Sequence, residues 1–328
     1  MERRDWMQAM LAGGAGLAAA SAGAQTGVHM PATHANQDSE IYIERDQPGR
    51  PHEGKVLVAI QPHNDDMPIY YAGAAAKLMN EGYTGYLIRT TNDEQPGPGT
   101  LADTNKANEI DNYEVGRVMG FQKVYDLGYR NHRMDDVSIV EVRARLIFLF
   151  RLLKADTIIS YDTWGHYDRN PDHWTTARAV ESALWMASGG KNYPEHFDAG
   201  LEPSRIRETY YYARGPQLVN RIVDISSVID IKAKSLQACQ TQGPGGSRGS
   251  RLRHELAEKG MRLPLLGDDD ETADINYIKE FALEHNRTLG RKYGLEWAEK
   301  YHYWGPSAMA VEGAARVDSY VGENALPL

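Results

Sequence analysis

Short, almost wholly apolar runs alternate along this chain with longer segments of helical composition, and no other feature constrains the fold as tightly. Residues 55–60 (Lys-Val-Leu-Val-Ala-Ile) read as a strand buried on both faces, as parallel strands are. Pro68 suits a first helical turn and the alanine-rich stretch 72–79 continues it, so a helix is predicted there. Further strands are predicted at 83–91, 122–126, 157–161, 207–213 and 221–225, and further helices at 104–119, 138–154, 173–187 and 226–240. Such βαβ alternation implies a single α/β domain: a Rossmann-like, mostly parallel sheet with helices on both faces. It is expected to span 54–328, with a motif-bearing part 54–242 and a helical C-terminal part 243–328. In that C-terminal part Asp268, Asp269, Asp270 and Glu271 are expected to cap a helix at 272–293. The glycine-rich stretch 243–249 lacks the lysine of a phosphate loop and reads as a flexible connection near the site.

Ligands of such sheets bind outside the carboxyl ends of the strands, which directs attention to the loops after Ile60 and Tyr161. The first loop reads Gln61-Pro62-His63-Asn64-Asp65-Asp66-Met67 and the second runs from Asp162 through His166 and Asn170-Pro171-Asp172 to His173. His63, Asp66 and His173 offer two imidazoles and a carboxylate, a set that suits zinc with an open position for water. Residues three apart at a helix start share a side, so His63 and Asp66 can reach one ion. Asp65 then points elsewhere and is free to act as a base. The alternative is that Asp65 and Asp66 only cap the helix and that His173 only opens one.

These residues resemble the PIG-L/LmbE family of zinc-dependent N-deacetylases, which carries an H-P-D-D-E type motif after its first strand and an H-P-D-H type motif opening a later helix. Here the motifs stand as His63-Asn64-Asp65-Asp66-Met67 and Asn170-Pro171-Asp172-His173. Val223-Asp224-Ile225-Ser226, with Lys234 through Gln242, is similar to a third family segment, with Cys239 at a histidine place. The resemblance spans roughly 54–242 with the motifs in order. It implies a Zn²⁺ ion, or another divalent metal, on His63, Asp66 and His173, with Asp65 as general base. Asp65, Asn170, Asp172 and His166 form the candidate catalytic set. The implied activity is removal of an acetyl or related acyl group from an amino sugar or its conjugate.

Three departures bear on that expectation. Asn64 for proline is expected to change loop stiffness only, and Met67 for glutamate removes a supporting carboxylate. Asn170 for histidine is the serious one, because asparagine donates a hydrogen bond but carries no proton at neutral pH. His166, four residues upstream, or Asp65 itself is then expected to protonate the leaving amine. Two rival readings stand beside the deacetylase. One is an amidase acting on a larger conjugate, and the other a metal-holding glycan-binding protein that lost turnover through Asn170.

Charge and composition narrow the partners. With 36 Lys and Arg against 45 Asp and Glu the formal charge is −9, which argues against nucleic-acid binding. One cysteine excludes a disulfide scaffold, and no apolar stretch has the length of a membrane span. The 19 Tyr and 6 Trp against 5 Phe favour rings with polar handles, and Tyr161, Trp164, Tyr167 and Trp174 around the second loop are candidates for stacking on a sugar. A small-molecule or glycan substrate is expected. At the start, Arg3-Arg4, a mildly apolar run and Ala22-Gly23-Ala24 read as a twin-arginine signal over 1–24, followed by an extended surface arm over 25–53. The mature protein is thus expected in the periplasm or outside the cell. Changing both Arg3 and Arg4 to Lys should strand the precursor in the cytoplasm on cell fractionation; undiminished export would remove the twin-arginine reading.

Overall fold

The computed structural model describes residues 41–165, 167–305 and 308–327; the leader expected over 1–24 lies outside them. The chain runs β1 (Tyr42–Glu44), β2 (Val56–Gln61), α1 (Asp66–Tyr70), α2 (Ala72–Asn80), β3 (Thr84–Thr91), α3 (Leu101–Met119) and β4 (Lys123–Tyr129). It continues through α4 (Ile139–Leu153), β5 (Thr157–Tyr161), α5 (Pro171–Met186), a short α6 (Glu195–Asp198), β6 (Glu208–Tyr212) and β7 (Arg221–Asp224). Then follow α7 (Ile229–Ala238), α8 (Arg248–Glu258), α9 (Asp270–Tyr277), α10 (Glu284–Lys292), β8 (Ala298–Trp304) and α11 (Ala308–Asn324). No described helix is long and apolar enough to cross a membrane.

The strands form one sheet in the order β1-β7-β8-β6-β5-β2-β3-β4. All neighbours are parallel except β8, which runs antiparallel to both β6 and β7. Strand β2 shows why the sheet is covered on both sides. Leu57 and Ala59 enter one core with α1, α2, α3 and α7, while Val58 and Ile60 enter a second with α4 and α5. Successive side chains of a strand point to opposite faces, so a run without polar residues needs two apolar layers. From β2 the chain winds one way to β3 and β4, and from β5 the other way to β6. The crevice between the carboxyl ends of β2 and β5 is therefore the switch point where such sheets bind ligands. Both motif loops leave the sheet there.

Four expectations need correction. The extended arm predicted over 25–53 does not lie wholly on the surface, because Tyr42–Glu44 pairs with β7 and Glu44 is buried. Glu44 is drawn in by Lys77 (3.2 Å), Arg221 (2.6 Å) and the Tyr210 hydroxyl (3.0 Å). The C-terminal part is not simply helical, since it supplies β8 to the sheet interior. The helix expected over 272–293 is two, joined by a π-type turn at Ile278–Ala282. The helix expected from Pro68 starts at Asp66 and breaks at Tyr71.

That last break has a cause far away in sequence. Lys232 of α7, fully buried, donates to the Ile69 carbonyl (2.8 Å) and pairs with Glu299 of β8 (2.7 Å). Glu299 in turn accepts the Gly73 and Ala74 amides at 3.0 and 2.8 Å, and the Tyr301 hydroxyl. A buried ion pair thus satisfies both the end of α1 and the start of α2, whose backbone groups would otherwise be orphaned. Lys232→Met leaves Glu299 buried without its counter-charge and should cost about 3–5 kcal/mol in chemical denaturation. A loss below about 1 kcal/mol, the scale of an exposed pair, would show that the pair does not hold the junction.

Candidate active site

Strand β2 ends at Gln61, and the chain turns so that His63 and Asp66 fold back on each other. The His63 amide donates to Asp66 Oδ2 at 2.9 Å, and His63 Nδ1 lies 3.2 Å from the same oxygen. From the neighbouring loop, α5 begins at Pro171 with Asn170 as its cap, which aims His173 at the same place. His173 Nε2 stands 3.1 Å from His63 Nδ1 and 3.7 Å from Asp66 Oδ1. One donor atom from each of His63, Asp66 and His173 lies within 4.8 Å of the others, and all three residues are buried.

The far side of each ring is anchored to a carboxylate. His63 Nε2–H donates to Asp172 Oδ2 (3.0 Å), and His173 Nδ1–H to Asp168 Oδ2 (2.6 Å). Those partners favour the tautomers whose inward nitrogens would ligate a cation beside a carboxylate, the arrangement of an imidazole–carboxylate metal site. Burial disfavours the His63 cation, but Asp172 and Asp66 outweigh it and hold the imidazole well above its ordinary pKa. Burial also opposes the Asp66 carboxylate, yet His173, His63 and Tyr161 together lower it to about 2. The pocket is short of positive charge, and its donor set fits a divalent cation. A second group, His63, His132 and Asp172, also converges, but Asp172 is already saturated. It accepts the His132 and Met134 amides (2.7 and 3.2 Å) and Asn131 Nδ2 (3.1 Å) as well as His63.

Asp65 stands apart from this set. It occupies the cap position of α1 but makes no capping hydrogen bond, so the helix-cap alternative does not account for it. Burial and the adjacent Asp66 carboxylate raise it to about 7. Gly243, at φ +83°, packs on it: a Cβ there would sit 3.0 Å from Asp65 Cβ and 3.2 Å from Oδ2. The glycine-rich connection therefore reaches the site, and the glycine is required both by its backbone angle and by this approach.

The other candidates fall as follows. Asn170 accepts the Asp172 amide through Oδ1 (3.0 Å), leaving Nδ2 as the donor side of its amide. Asp172 sits behind His63 and acts through it rather than facing the cleft. His166 lies outside the described residues. Asn64 does more than relax the loop: its amide donates to Asp93 (2.8 Å), which proline could not, and its side chain bonds Asn108 (3.0 Å) and Gln242. Met67 is fully buried in the core. Tyr161 is not a sugar platform, since its ring stacks on His173 at 4.2 Å and its hydroxyl donates to Asp66 Oδ1 at 2.7 Å. Trp174 lines the cleft, and Trp164 and Tyr167 are exposed on its loop. Sequence reading missed Asp168 as an orienting group, although its place five residues before His173 at a helix entry could have signalled it.

Comparison with known proteins bears on the fold and on the segment that carries the motifs. The profile of PIG-L, GlcNAc-PI de-N-acetylase, matches residues 58–184. That segment, which carries both motif loops, is similar to the PIG-L family. It is 26% identical over 197 residues, 58% of this chain and 71% of the relative, to the diacetylchitobiose deacetylase of Thermococcus kodakarensis. The N,N′-diacetylchitobiose deacetylase of Pyrococcus horikoshii superposes with a TM-score of 0.60 at 21% identity, over 76% of this chain and 84% of that one. GalB, the 4-carboxy-2-hydroxymuconate hydratase of Pseudomonas putida KT2440, superposes with 0.53 at 15% identity, covering 77% and 98%. The fold is shared; the hydratase shows that fold alone does not name a reaction.

Replacing His63, Asp66 or His173 by Ala should remove most of the bound metal, as read by elemental analysis of the folded protein. Tyr161→Phe keeps the three ligands and should weaken metal affinity by about 10–100-fold, as loss of such outer partners does. Full metal content in all three alanine variants would rule the centre out.

Proposed function

We propose that the protein is an exported, metal-dependent amide hydrolase that removes an acetyl or related acyl group from an amino sugar or its conjugate. One observation carries the reading: two imidazoles and a carboxylate converge beside an uncapped carboxylate, Asp65, held near neutrality. The family profile and the deacetylase relatives support the same reaction class. The export part rests on the leader sequence alone.

Held by His63, Asp66 and His173, a divalent cation, zinc by default, supplies Lewis acidity and makes water a nucleophile near neutral pH. Asp65 accepts a proton from the water that adds to the amide carbon, as a base poised near the working pH does best. Asn170 Nδ2 donates to the oxygen on which negative charge develops. When the carbon–nitrogen bond breaks, the departing amine takes a proton from protonated Asp65 or from His166, leaving acetate and a free amine. Asp168 and Asp172 hold the two rings in register throughout. Trp164 and Trp174 supply flat apolar surface for a sugar ring. The rival, a glycan-binding protein without turnover, draws on Asn170 in place of a titratable histidine.

Asp65→Asn separates base from ligands. It should retain metal while activity on a panel of N-acetylated amino sugars falls by about 10²–10⁴-fold. If Asp65→Asn loses metal and Asp66→Asn keeps it, the two roles are exchanged. Full activity in Asp65→Asn removes this mechanism, and tight binding of the panel by the unaltered protein without acetate release supports the binder.

A further inference from the structure

Arg214 stands directly after β6, at the same end of the sheet as the two motif loops. Its neighbours Ala213 and Gly215 line the cleft together with Tyr161, Asp168, His173 and Trp174. Arg214 is exposed, lies near the Tyr70 hydroxyl, and stands in the field of Asp168 and Asp66. Neither acid needs it. Asp66 takes the Tyr161 hydroxyl on one oxygen and the His63 amide on the other. Asp168 takes His173 Nδ1–H on one oxygen and the Asn170 amide on the other. On the turn after β4, Arg130 pairs with Glu94 at 2.9 Å and Arg133 with Asp136 at 3.2 Å. Among the described residues no carboxylate pairs directly with Arg214.

An arginine presents a planar fork of donors that matches a carboxylate or a phosphate in two parallel hydrogen bonds. Left open at the lip of a cleft, with a tyrosine hydroxyl beside it, such a fork is a receptor for an anion. A purely neutral sugar would leave it unfilled. We infer that Arg214, with Tyr70, forms an anion subsite that selects N-acyl amino sugars bearing a carboxylate or phosphate substituent. The inference deepens the amide-hydrolase reading and rests on it for the word substrate. The binding site itself does not depend on turnover.

The test compares three probes on the metal-loaded protein: N-acetylglucosamine, N-acetylglucosamine 6-phosphate and N-acetylmuramic acid. Acetate release is read alongside calorimetric binding. The unaltered protein should prefer at least one anionic probe to the neutral one by about 10–100-fold in kcat/KM, the worth of one charge-assisted hydrogen-bonded pair. Arg214→Ala should abolish that preference while changing the neutral probe less than about 3-fold, and Arg214→Lys should restore only part of it because a point charge lacks the fork. Which anionic probe is preferred tells carboxylate from phosphate. If all probes fall together in Arg214→Ala, or if the unaltered protein shows no anionic preference, the subsite is overturned. If nothing is hydrolysed, the hydrolase reading fails separately. Calorimetry then decides the subsite: anion binding lost in Arg214→Ala sustains it, and equal or absent binding overturns it.

Discussion

Two buried ring nitrogens 3.1 Å apart stay together only if a proton or a cation lies between them and something negative lies behind them. The structure provides the second condition itself, through Asp172 behind His63 and Asp168 behind His173. Each of these acids is held by backbone amides that the entry to α5 and the turn after β4 deliver. The placement of α5, the turn at 130–134 and the cap at Asn170 are therefore parts of one electrostatic arrangement.

The same logic holds at the back of α1. Asp65 and Asp66 keep their separate directions because the helix that carries them is short and stops at Tyr71. It stops because Lys232 and Glu299, brought from α7 and β8, take over the backbone groups left bare by the break. A buried ion pair adds little net stability relative to apolar packing. Its contribution here is geometric, since it fixes where one helix ends and the next begins.

What the sequence makes legible follows from how local the deciding interaction is. The strand at 55–60 is readable because its burial on both faces leaves no polar residue after Lys55. The helix ending at Met119 is readable from Gly120, which takes the left-handed cap at φ +79°. His63, Asp66 and His173 are readable because they stand on loops that leave strand ends, or on the helix such a loop opens, and because their chemistry is distinctive. The break at Tyr71 is not, because its cause lies more than 150 residues on, in Lys232 and Glu299. Strand β8 (Ala-Glu-Lys-Tyr-His-Tyr-Trp) is masked by charged residues whose partners are remote, and Glu299 reads as surface until Lys232 is seen against it. Asn64 looks like a neutral exchange for proline until Asp93, Asn108 and Gln242 are brought around it.

Strand β8 also sets a timetable. Strands β1 and β7 join the remainder of the sheet only through β8, which begins at Ala298. A growing chain can assemble β2 through β6 early, since most of those pairings are between strands close in sequence. It then has to hold β6 with an open edge until Ala298–Trp304 has been made. Because the closing contacts join such distant residues, the last step is the entropically slow one. Until it is complete, the exposed edge of β6 is the surface by which nascent copies would stick to one another.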